Sequence, residues 1–241
     1  MKLSDFDVNK YLFDVDGTLT PSRGKMNVDF SFWFANFCTD HDVYLVTGSD
    51  RAKTIEQIGE YIYGLCKRVY QCSGSDVYEG DVLVRSSEWC LPDDAREWLE
   101  RILEQSQFAI RTGLHVEERP GMVNFSVVGR NANLKERAEY VAWDQAQNER
   151  NEIAQEFNYH FPDIVALPGG ETGIDISPRG CDKSQILIDF SDDDMIHFFG
   201  DRMDEDGNDY PLASKLFNEY SGVNYHVKDW RDTWTILKTI P

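Results

Sequence analysis

The stretch Tyr11-Leu-Phe-Asp14-Val-Asp16-Gly-Thr18 decides the fold. Its three apolar residues predict a short buried strand that ends at Asp14. Asp14 and Asp16 then stand at positions i and i+2, at the carboxyl end of a strand, where α/β proteins bind ligands. Gly17 permits a sharp turn, and Thr18 is expected to donate a hydrogen bond that stabilises it. One carboxylate can attack phosphorus and the other can transfer protons, although an ordinary acidic turn is the alternative.

Strands and helices alternate in the sequence around this stretch and again after residue 181. Ser49 or Asp50 can cap the helix that precedes Ile55 and Ile58. The apolar spacing predicts helices and strands in the following order: helix 28–38, strand 43–46, strand 69–71, helix 183–190, strand 195–199, helix 212–217, strand 223–227 and a last helix from Asp232. Such alternation predicts an α/β fold with a Rossmann-like, doubly wound parallel sheet.

The pattern changes between residues 87 and 180. Pro92 starts an amphipathic helix, in which Trp98 lies on the apolar stripe. Further runs predict strands at 108–111, 115–118, 122–128, 164–167 and 173–177, with a long helical stretch at 134–157. Strands joined by short turns favour an antiparallel sheet with helices. We therefore predict an α+β cap domain, residues 87–180, inserted into an α/β catalytic core formed by residues 1–86 and 181–241.

The composition restricts the possible partners. The 241 residues include 24 Lys and Arg against 43 Asp and Glu, a net charge of −19, which disfavours nucleic acid or an anionic membrane as a partner. No apolar run reaches the roughly 18 residues that a membrane-spanning helix needs. The first ten residues lack the features of a signal peptide, and the five cysteines form no CxxC pair. These features predict a cytoplasmic protein with reduced thiols.

A second acidic stretch follows the predicted strand 195–199. Because phosphate repels a nucleophilic carboxylate, the chemistry needs nearby positive charge, and Mg²⁺ held by carboxylates would supply it. Asp201 and one of the later acids are candidate ligands. Calcium is the alternative, since Asp204, Asp206 and Asn208 alternate as in a calcium loop, but Lys215 stands near the position where that loop needs Glu.

Two further positions could bind a phosphate. Lys183 opens a predicted helix just before the strand 195–199, where its ammonium group could hold the anion. Thr47-Gly-Ser49 lies between a strand end and a helix start, where free backbone N–H groups and a hydroxyl favour anions.

These segments together resemble a known group of enzymes. Asp14 to Thr18, Thr47-Gly-Ser49, Lys183 and Gly200-Asp201 with Asp209 resemble, in order, the four motifs of the haloacid dehalogenase superfamily. In the insert, three segments are similar to the eukaryotic-type phosphomannomutase family, which has a C2b-type cap: Arg119-Pro-Gly-Met-Val-Asn, Val128-Gly-Arg130-Asn and Glu136-Arg137. The resemblance covers nearly the whole chain.

The resemblance implies a role for each matching residue. Asp14 would be the nucleophile and Asp16 the acid/base, with Lys183 as the third catalytic residue. The family's metal ligands match Asp14, the backbone carbonyl of Asp16, Asp201 and the region of Asp209, all around Mg²⁺. Its substrate-binding positions match Arg23, Thr47, Ser49, Arg119, Arg130, Arg137 and Asp175. Guanidinium groups suit a sugar bisphosphate, since they bind phosphate oxygens in pairs.

The resemblance also implies a reaction and an assembly. The enzyme would interconvert mannose 6-phosphate and mannose 1-phosphate through an aspartyl phosphate, with a hexose 1,6-bisphosphate as activator. The cap would exclude water from that intermediate and would join two copies into a homodimer. A sugar-phosphate phosphatase, in which water completes the reaction, is the alternative, and the arginines favour the mutase. A non-enzymatic scaffold is disfavoured by the intact Asp14, Asp16 and Lys183.

Overall fold

A computed structural model describes residues 8–205 and 207–240. Contacts divide the chain into two compact units: unit 1, Met1–Ser86 with Cys181–Pro241, and unit 2, Ser87–Gly180. The expectation for the start of the chain falls partly on residues 1–7, and the calcium alternative used Asp206. Both lie outside the described residues. Within the described part, no helix combines the length and the apolar character needed to cross a membrane.

The secondary structure alternates strongly along the chain. The strands are β1 (Asn9–Phe13), β2 (Asp42–Val46), β3 (Arg68–Gln71), β4 (Asp76–Glu79), β5 (Val82–Ser86), β6 (Val116–Arg119), β7 (Met122–Phe125), β8 (Ile164–Gly169), β9 (Gly173–Pro178), β10 (Met195–Gly200) and β11 (Gly222–His226). The helices are α1 (Val28–Asp40), α2 (Arg51–Ile58), α3 (Glu60–Leu65), α4 (Asp93–Gln105), α5 (Leu134–Gln147), α6 (Glu149–His160), α7 (Tyr210–Glu219) and α8 (Trp230–Leu237). Short 3₁₀ helices cover Cys72–Gly74 and Lys183–Asp189.

Unit 1 is built on a seven-stranded sheet of order β11-β10-β1-β2-β3-β4-β5. Strands β11 to β3 in that order are parallel, and β4 and β5 extend the sheet as an antiparallel hairpin. Helices cover both faces, so the central strands are apolar runs, and Leu12, Phe13 and Phe198 are buried completely. This confirms the Rossmann-like α/β core. The hairpin was not predicted, because its exposed edge strand β5 lacks an alternating pattern.

Unit 2 is a four-stranded antiparallel sheet of order β6-β7-β9-β8, covered by helices on one face. Phe125, Ile174 and Ile176 belong to the same buried cluster as Trp98 and Phe157, which come from α4 and α6. The opposite face carries Asn124 from β7 and Asp175 and Ser177 from β9. Because side chains alternate along a strand, the sheet has one apolar face and one polar face.

Three predicted elements differ from the structure. The long helix at 134–157 is two helices, separated at Asn148, whose left-handed backbone (φ 58°, ψ 27°) ends α5. The segment 108–111 is not a strand, and the Arg111 guanidinium donates to the backbone carbonyl oxygens of Leu103 and Ser106 at the end of α4. The helix at 183–190 is a 3₁₀ helix. Its three-residue repeat places Lys183 and Ile186 on the same buried side.

Candidate active site

Asp14 and Asp201 lie at the point where the strand order of unit 1 reverses. The chain proceeds from β1 to β2 in one direction, whereas β10 lies on the other side of β1. Asp14 and Asp201 directly follow β1 and β10, and the Asp14 backbone N–H donates to the Phe199 carbonyl oxygen at 2.9 Å. The carboxyl ends of parallel strands form a crevice at such a reversal, which is where open α/β sheets bind ligands. The topology therefore places both carboxylates in the expected ligand crevice.

Lys183 connects two of the buried carboxylates. Its Nζ donates to Asp14 Oδ1 at 2.6 Å and to Asp209 Oδ1 at 2.7 Å, although the lysine is only 1% exposed. Burial alone would lower the pKa of Lys183, but the two carboxylates raise it above its usual value. The lysine therefore remains a cation beside Asp14, and this charge is fully paired.

In the crevice around Asp14, the carboxylates outnumber the cations. Carboxylate oxygens of Asp14, Asp201 and Asp209 lie within 4.8 Å of one another, with Lys183 as their cation. Burial raises the pKa of Asp14 well above its usual value; the charges of Asp209 and Asp201 raise it further, and Lys183 opposes them. Burial and Asp209 raise the pKa of Asp201 to about 6.

This acidic group fits a divalent cation. Three hard oxygen donors in a partly desolvated crevice are the ligand type of Mg²⁺ and Ca²⁺, and such an ion would compensate the excess negative charge. Asp209 contributes least freely to a metal site, since its Oδ1 accepts from Lys183 and its Oδ2 accepts from the Arg202 backbone N–H at 3.0 Å. Asp14 and Asp201 are therefore the stronger candidate ligands.

Glycine at position 17 allows the carboxylates to approach. Its φ is 87°, a conformation that other residues adopt only with strain, and a Cβ at this position would collide with the Asp201 carboxylate. Gly200 has a similar function, because a Cβ there would contact Asp209 Oδ2 at 2.7 Å. Both glycines therefore leave the space that the carboxylates of Asp201 and Asp209 occupy.

Asp16 lies on the turn that follows Asp14. Its Oδ1 accepts from the Arg23 backbone N–H at 2.6 Å and from Gln57 Nε2 at 2.8 Å, and its Oδ2 lies 3.4 Å from Ser49 Oγ. The expected hydrogen bond from the Thr18 side chain is wrong, because that buried hydroxyl has no partner among the described residues. The Thr20 hydroxyl stabilises the turn instead, donating to the Val15 carbonyl oxygen at 3.2 Å. Thr20 therefore takes the role that was expected of Thr18.

The Thr47–Ser49 loop follows β2 at the same edge of the sheet. Thr47 Oγ1 accepts from the Ser49 backbone N–H at 3.1 Å, so this hydroxyl supports its own loop. The next loop braces it, since the Ser73 backbone N–H donates to the Thr47 carbonyl oxygen at 2.8 Å and the Cys72 N–H donates to that of Ser49 at 3.1 Å. Ser49 is therefore the hydroxyl of this loop that faces Asp16.

Unit 2 carries a second polar group on the open face of its sheet. Arg119 and Arg130 both bind the Glu117 carboxylate; the Arg119 Nε distance is 3.1 Å and the Arg130 Nε distance is 3.0 Å. Arg130 Nη1 donates to Asn124 Oδ1 at 3.1 Å, and Asn124 Nδ2 donates to Asp175 Oδ1 at 2.6 Å. These residues form a continuous chain of hydrogen bonds and ion pairs, which we call the arginine group.

Strand register explains why these residues meet. Glu117 pairs with Asn124 across β6 and β7, and Asn124 pairs with Asp175 across β7 and β9. Directly opposite residues point to the same face of a sheet. Gly173 is required beside them, since a Cβ there would meet Asn124 Nδ2 at 2.5 Å. The polar side chains thus occupy space that the glycine leaves open.

Arg137 completes the arginine group from α5. It is nearly buried, and its Nη2 donates to Glu171 Oε2 at 3.0 Å. Burial lowers the pKa of Arg130, and the cations of Arg119 and Arg137 lower it further against the opposing effect of Glu117. Arg130 therefore experiences the charge of the other two guanidinium groups. This is an electrostatic arrangement that an anionic ligand would stabilise.

The predicted site residues thus fall into distinct groups. Unit 1 brings together Asp14, Lys183, Asp201 and Asp209, with Asp16 and Ser49 facing each other on the next loops. Unit 2 brings together Arg119, Arg130, Arg137 and Asp175. Arg23 lies on an exposed turn of unit 1 with φ 56°, and its backbone, through its N–H, contacts Asp16.

Sequence reasoning assigned no role to Gln57, Glu117 or Asn124. Gln57 carried a weak signal, being a polar residue three positions after Thr54 on the buried side of α2. Asn124 ends the family-like segment that begins at Arg119, although no role was assigned to it. Glu117 carried no signal, because its importance depends on strand register. The residue pattern of a short strand does not show which residue of the neighbouring strand lies opposite.

A sequence model described as eukaryotic phosphomannomutase matches residues 33–240. The chain is 32% identical over 231 residues to a phosphomannomutase of Spinacia oleracea, covering 92% of this chain and 91% of that protein. It is 31% identical over 236 residues to a phosphomannomutase of Saccharomyces cerevisiae, covering 94% and 91%. Among solved structures, IMP-bound, N-terminally truncated Plasmodium falciparum IMP-nucleotidase shares the fold, with a TM-score of 0.58 and 14% identity over 95% of this chain and 67% of that one.

Proposed function

The chain belongs to the eukaryotic phosphomannomutase family, and on that premise we propose that it interconverts mannose 6-phosphate and mannose 1-phosphate. The observation that carries the proposal is the buried Asp14–Lys183 pair within reach of Asp201 and Asp209. A nucleophilic carboxylate, a fixed cation and a candidate metal site occupy one crevice. These are the components that phosphoryl transfer requires.

In the proposed first half-reaction, an Asp14 carboxylate oxygen attacks phosphorus of a hexose 1,6-bisphosphate. The bond between phosphorus and the sugar oxygen breaks, and Asp16 donates a proton to that oxygen. The second half-reaction reverses these steps on the other hydroxyl, so Asp16 takes a proton back. Lys183 holds Asp14 in place and offsets charge throughout. Mg²⁺, when bound by Asp14, the Asp16 carbonyl and Asp201, would supply further positive charge against the phosphate.

The arginine group of unit 2 supports a mutase acting on a bisphosphate. Such a substrate carries two phosphates, only one of which reacts at a time. Arg119, Arg130 and Arg137 offer fork-shaped donors for the other phosphate, and Asp175 can accept hydrogen bonds from sugar hydroxyls. Their present carboxylate partners, such as Glu117 and Glu171, keep the guanidinium groups in place and would share them with the ligand.

The assembly and location belong to the same proposal. The family resemblance supports a homodimer formed through unit 2, where Leu134 and Tyr159 are exposed apolar side chains. Trp98 does not contribute to this argument, because it is buried in the core of the unit. The net charge of −19 supports small hexose phosphates, rather than nucleic acid or anionic membranes, as partners, and the reduced cysteines support a cytoplasmic location.

The test is a stopped assay with mannose 1-phosphate, Mg²⁺ and a catalytic trace of hexose 1,6-bisphosphate. We expect mannose 6-phosphate to form without equivalent free phosphate. The Asp14→Asn variant should abolish this product, because an amide cannot form the acyl phosphate, whereas Asp40→Asn, at an exposed helix end, should retain it. Free phosphate alone would identify a phosphatase. The absence of both products would overturn the proposed reaction.

A further inference from the structure

Gln57 is a buried amide that the reaction scheme has not used. It is 2% exposed on α2, and its Nε2 lies 2.8 Å from Asp16 Oδ1 and 3.2 Å from Thr20 Oγ1. Its Oε1 is buried without a hydrogen-bond partner among the described residues. Burial of a half-satisfied amide costs free energy, so stability alone does not account for a glutamine here. Nε2 also lies 3.5 Å from the Gly24 carbonyl oxygen, and the contact with Asp16 is the shortest of the three and the one to a charged partner.

The amide orientation follows from the charge of its partner. If the amide were reversed, its Oε1 would face the Asp16 carboxylate, and two acceptors would oppose each other across 2.8 Å. The donor must therefore point at Asp16. The backbone of α2 strengthens this placement, because the Gln57 carbonyl oxygen accepts from the Met26 N–H at 2.8 Å. Side chain and backbone of one residue thus tie α2 to the turn that carries Asp16.

The two oxygens of Asp16 have different environments. Oδ1 accepts two N–H groups, from Arg23 at 2.6 Å and from Gln57 at 2.8 Å, and neither group can accept a proton in return. Oδ2 faces the Ser49 hydroxyl at 3.4 Å, a group that can donate or accept. Hydrogen-bond accounting therefore leaves Oδ2 as the oxygen that can carry a transferable proton.

We infer that Gln57 is a positioning residue for proton transfer: it sets the rotation of the Asp16 carboxylate so that Oδ2 serves the sugar oxygen. The inference rests on the proposed function. In the step concerned, an Asp14 oxygen bonds to phosphorus, the bond from phosphorus to the sugar oxygen breaks, and the proton on Asp16 Oδ2 moves to that oxygen. Without Gln57 the carboxylate keeps the Arg23 N–H but loses the side-chain contact that fixes its plane.

Two substrates with different leaving groups distinguish a positioning role of Gln57 from a purely structural role. A sugar alkoxide needs a proton as it leaves, whereas 4-nitrophenolate is stable enough to leave without one. With enzyme in excess over substrate, release of hexose monophosphate from hexose 1,6-bisphosphate and release of 4-nitrophenol from 4-nitrophenyl phosphate both report transfer to Asp14. They differ in their need for Asp16.

The variant to measure is Gln57→Met, an unbranched side chain of similar length without polar hydrogens. We expect it to slow single-turnover release of hexose monophosphate by about 10- to 100-fold, the range of a misplaced catalytic group. Release of 4-nitrophenol should change by about twofold or less, since it needs no acid. Gln57→Glu, which replaces the donor with an acceptor, should behave similarly and keeps the test available if the methionine variant does not fold.

Gln71→Leu is the matched control. Gln71 is also a buried glutamine beside α2, where its Oε1 accepts from the Thr54 hydroxyl at 2.8 Å, but it has no contact with Asp16. The ratio of the two rates should stay at the wild-type value in this variant. In an Asp16→Ala background, Gln57→Met should cause no further loss of the hexose reaction, because the residue acts through Asp16.

The outcomes keep the inference and the proposed function apart. An active wild type in which Gln57→Met slows both substrates equally, or further slows the Asp16→Ala enzyme, overturns the positioning role alone. A wild type that transfers phosphate from neither substrate overturns the proposed function, and the inference with it. A selective loss on the hexose substrate supports both.

Discussion

At the residue scale, the candidate site depends on charges that are buried and paired. Lys183 and Asp14 are 169 positions apart in sequence, yet they form a 2.6 Å ion pair at the centre of unit 1. The stretch from Asp14 to Thr18, directly after a strand, suggested a nucleophilic carboxylate, and Lys183 was a candidate for holding the phosphate. The family resemblance implied that both are catalytic. The sequence did not predict that Asp209 would share the same lysine. That contact depends on how the loop after β10 folds back toward Lys183.

The affinity for Mg²⁺ should depend on pH through Asp201. Burial and Asp209 raise its pKa to about 6, so a proton competes with the metal below that value. The rise in melting temperature caused by millimolar Mg²⁺ should therefore be larger near pH 7.5 than near pH 5. An equal rise at both pH values would contradict the assignment.

Without metal, the raised pKa of Asp201 also makes the stability of the folded protein depend on pH. Because the pKa of Asp201 is raised on folding, the folded state binds more protons than the unfolded state between about pH 4 and pH 6. This group therefore favours folding at the acidic end and loses that contribution as the pH rises through its folded pKa. Asp201→Asn should remove this part of the pH dependence and weaken stabilisation by Mg²⁺ at both pH values.

At the scale of elements, the clearest difference from the sequence pattern lies between α5 and α6. The stretch 134–157 is mostly polar and was predicted as one long helix. Asn148 adopts the left-handed conformation, and its side chain accepts from Asn151 Nδ2 at 2.7 Å. Asparagine tolerates that conformation better than most residues. Asn148 was therefore a weak signal for a helix end, which the prediction of a single helix did not use.

A substitution at Asn148 tests this account. Asn148→Val should lower the free energy of unfolding by about 1–2 kcal/mol, because its branched Cβ crowds the backbone at positive φ. Asn148→Gly should be nearly neutral. Gln155→Val, at an exposed position within α6, is the control and should cost only about 0.5 kcal/mol, the loss of helix propensity. Urea denaturation measures all three, and equal losses for the two valine variants would refute the explanation.

At the scale of the whole molecule, charge is distributed unevenly. The net charge is −19, yet the groups proposed to bind phosphate contain Lys183 and the three arginines of unit 2. Like charges spread over a surface repel one another and oppose compaction, whereas a local group of cations can still bind an anion. We therefore expect no polyanionic partner, whereas a small phosphorylated substrate is compatible with this charge.

Salt should affect stability and substrate binding in opposite directions. Raising NaCl from low to physiological ionic strength should increase the melting temperature, because it screens the repulsion among the acidic groups. For a chain of this size, each kcal/mol of added stability raises the melting temperature by about 2–4 °C. The same salt should raise KM for the hexose phosphate, because it screens the arginines from the anion. Sucrose is the control, since it stabilises by exclusion and leaves charge interactions intact. A KM that is insensitive to NaCl would contradict the proposed arginine site.

The sequence by itself determined the local structure and the type of chemistry. Hydrophobic runs predicted β1, β2, β3, β10 and β11 closely, and the carboxylates after β1 and β10 predicted a phosphoryl-transfer crevice. Both are properties of short segments, since strand burial and turn chemistry depend on neighbouring residues. Only the tertiary structure decided which side chains complete the site. Gln57 lies 41 positions from Asp16, and Asn124 lies 51 positions from Asp175. Such partners meet through helix placement and strand register, which depend on the packing of the whole unit and leave no local pattern.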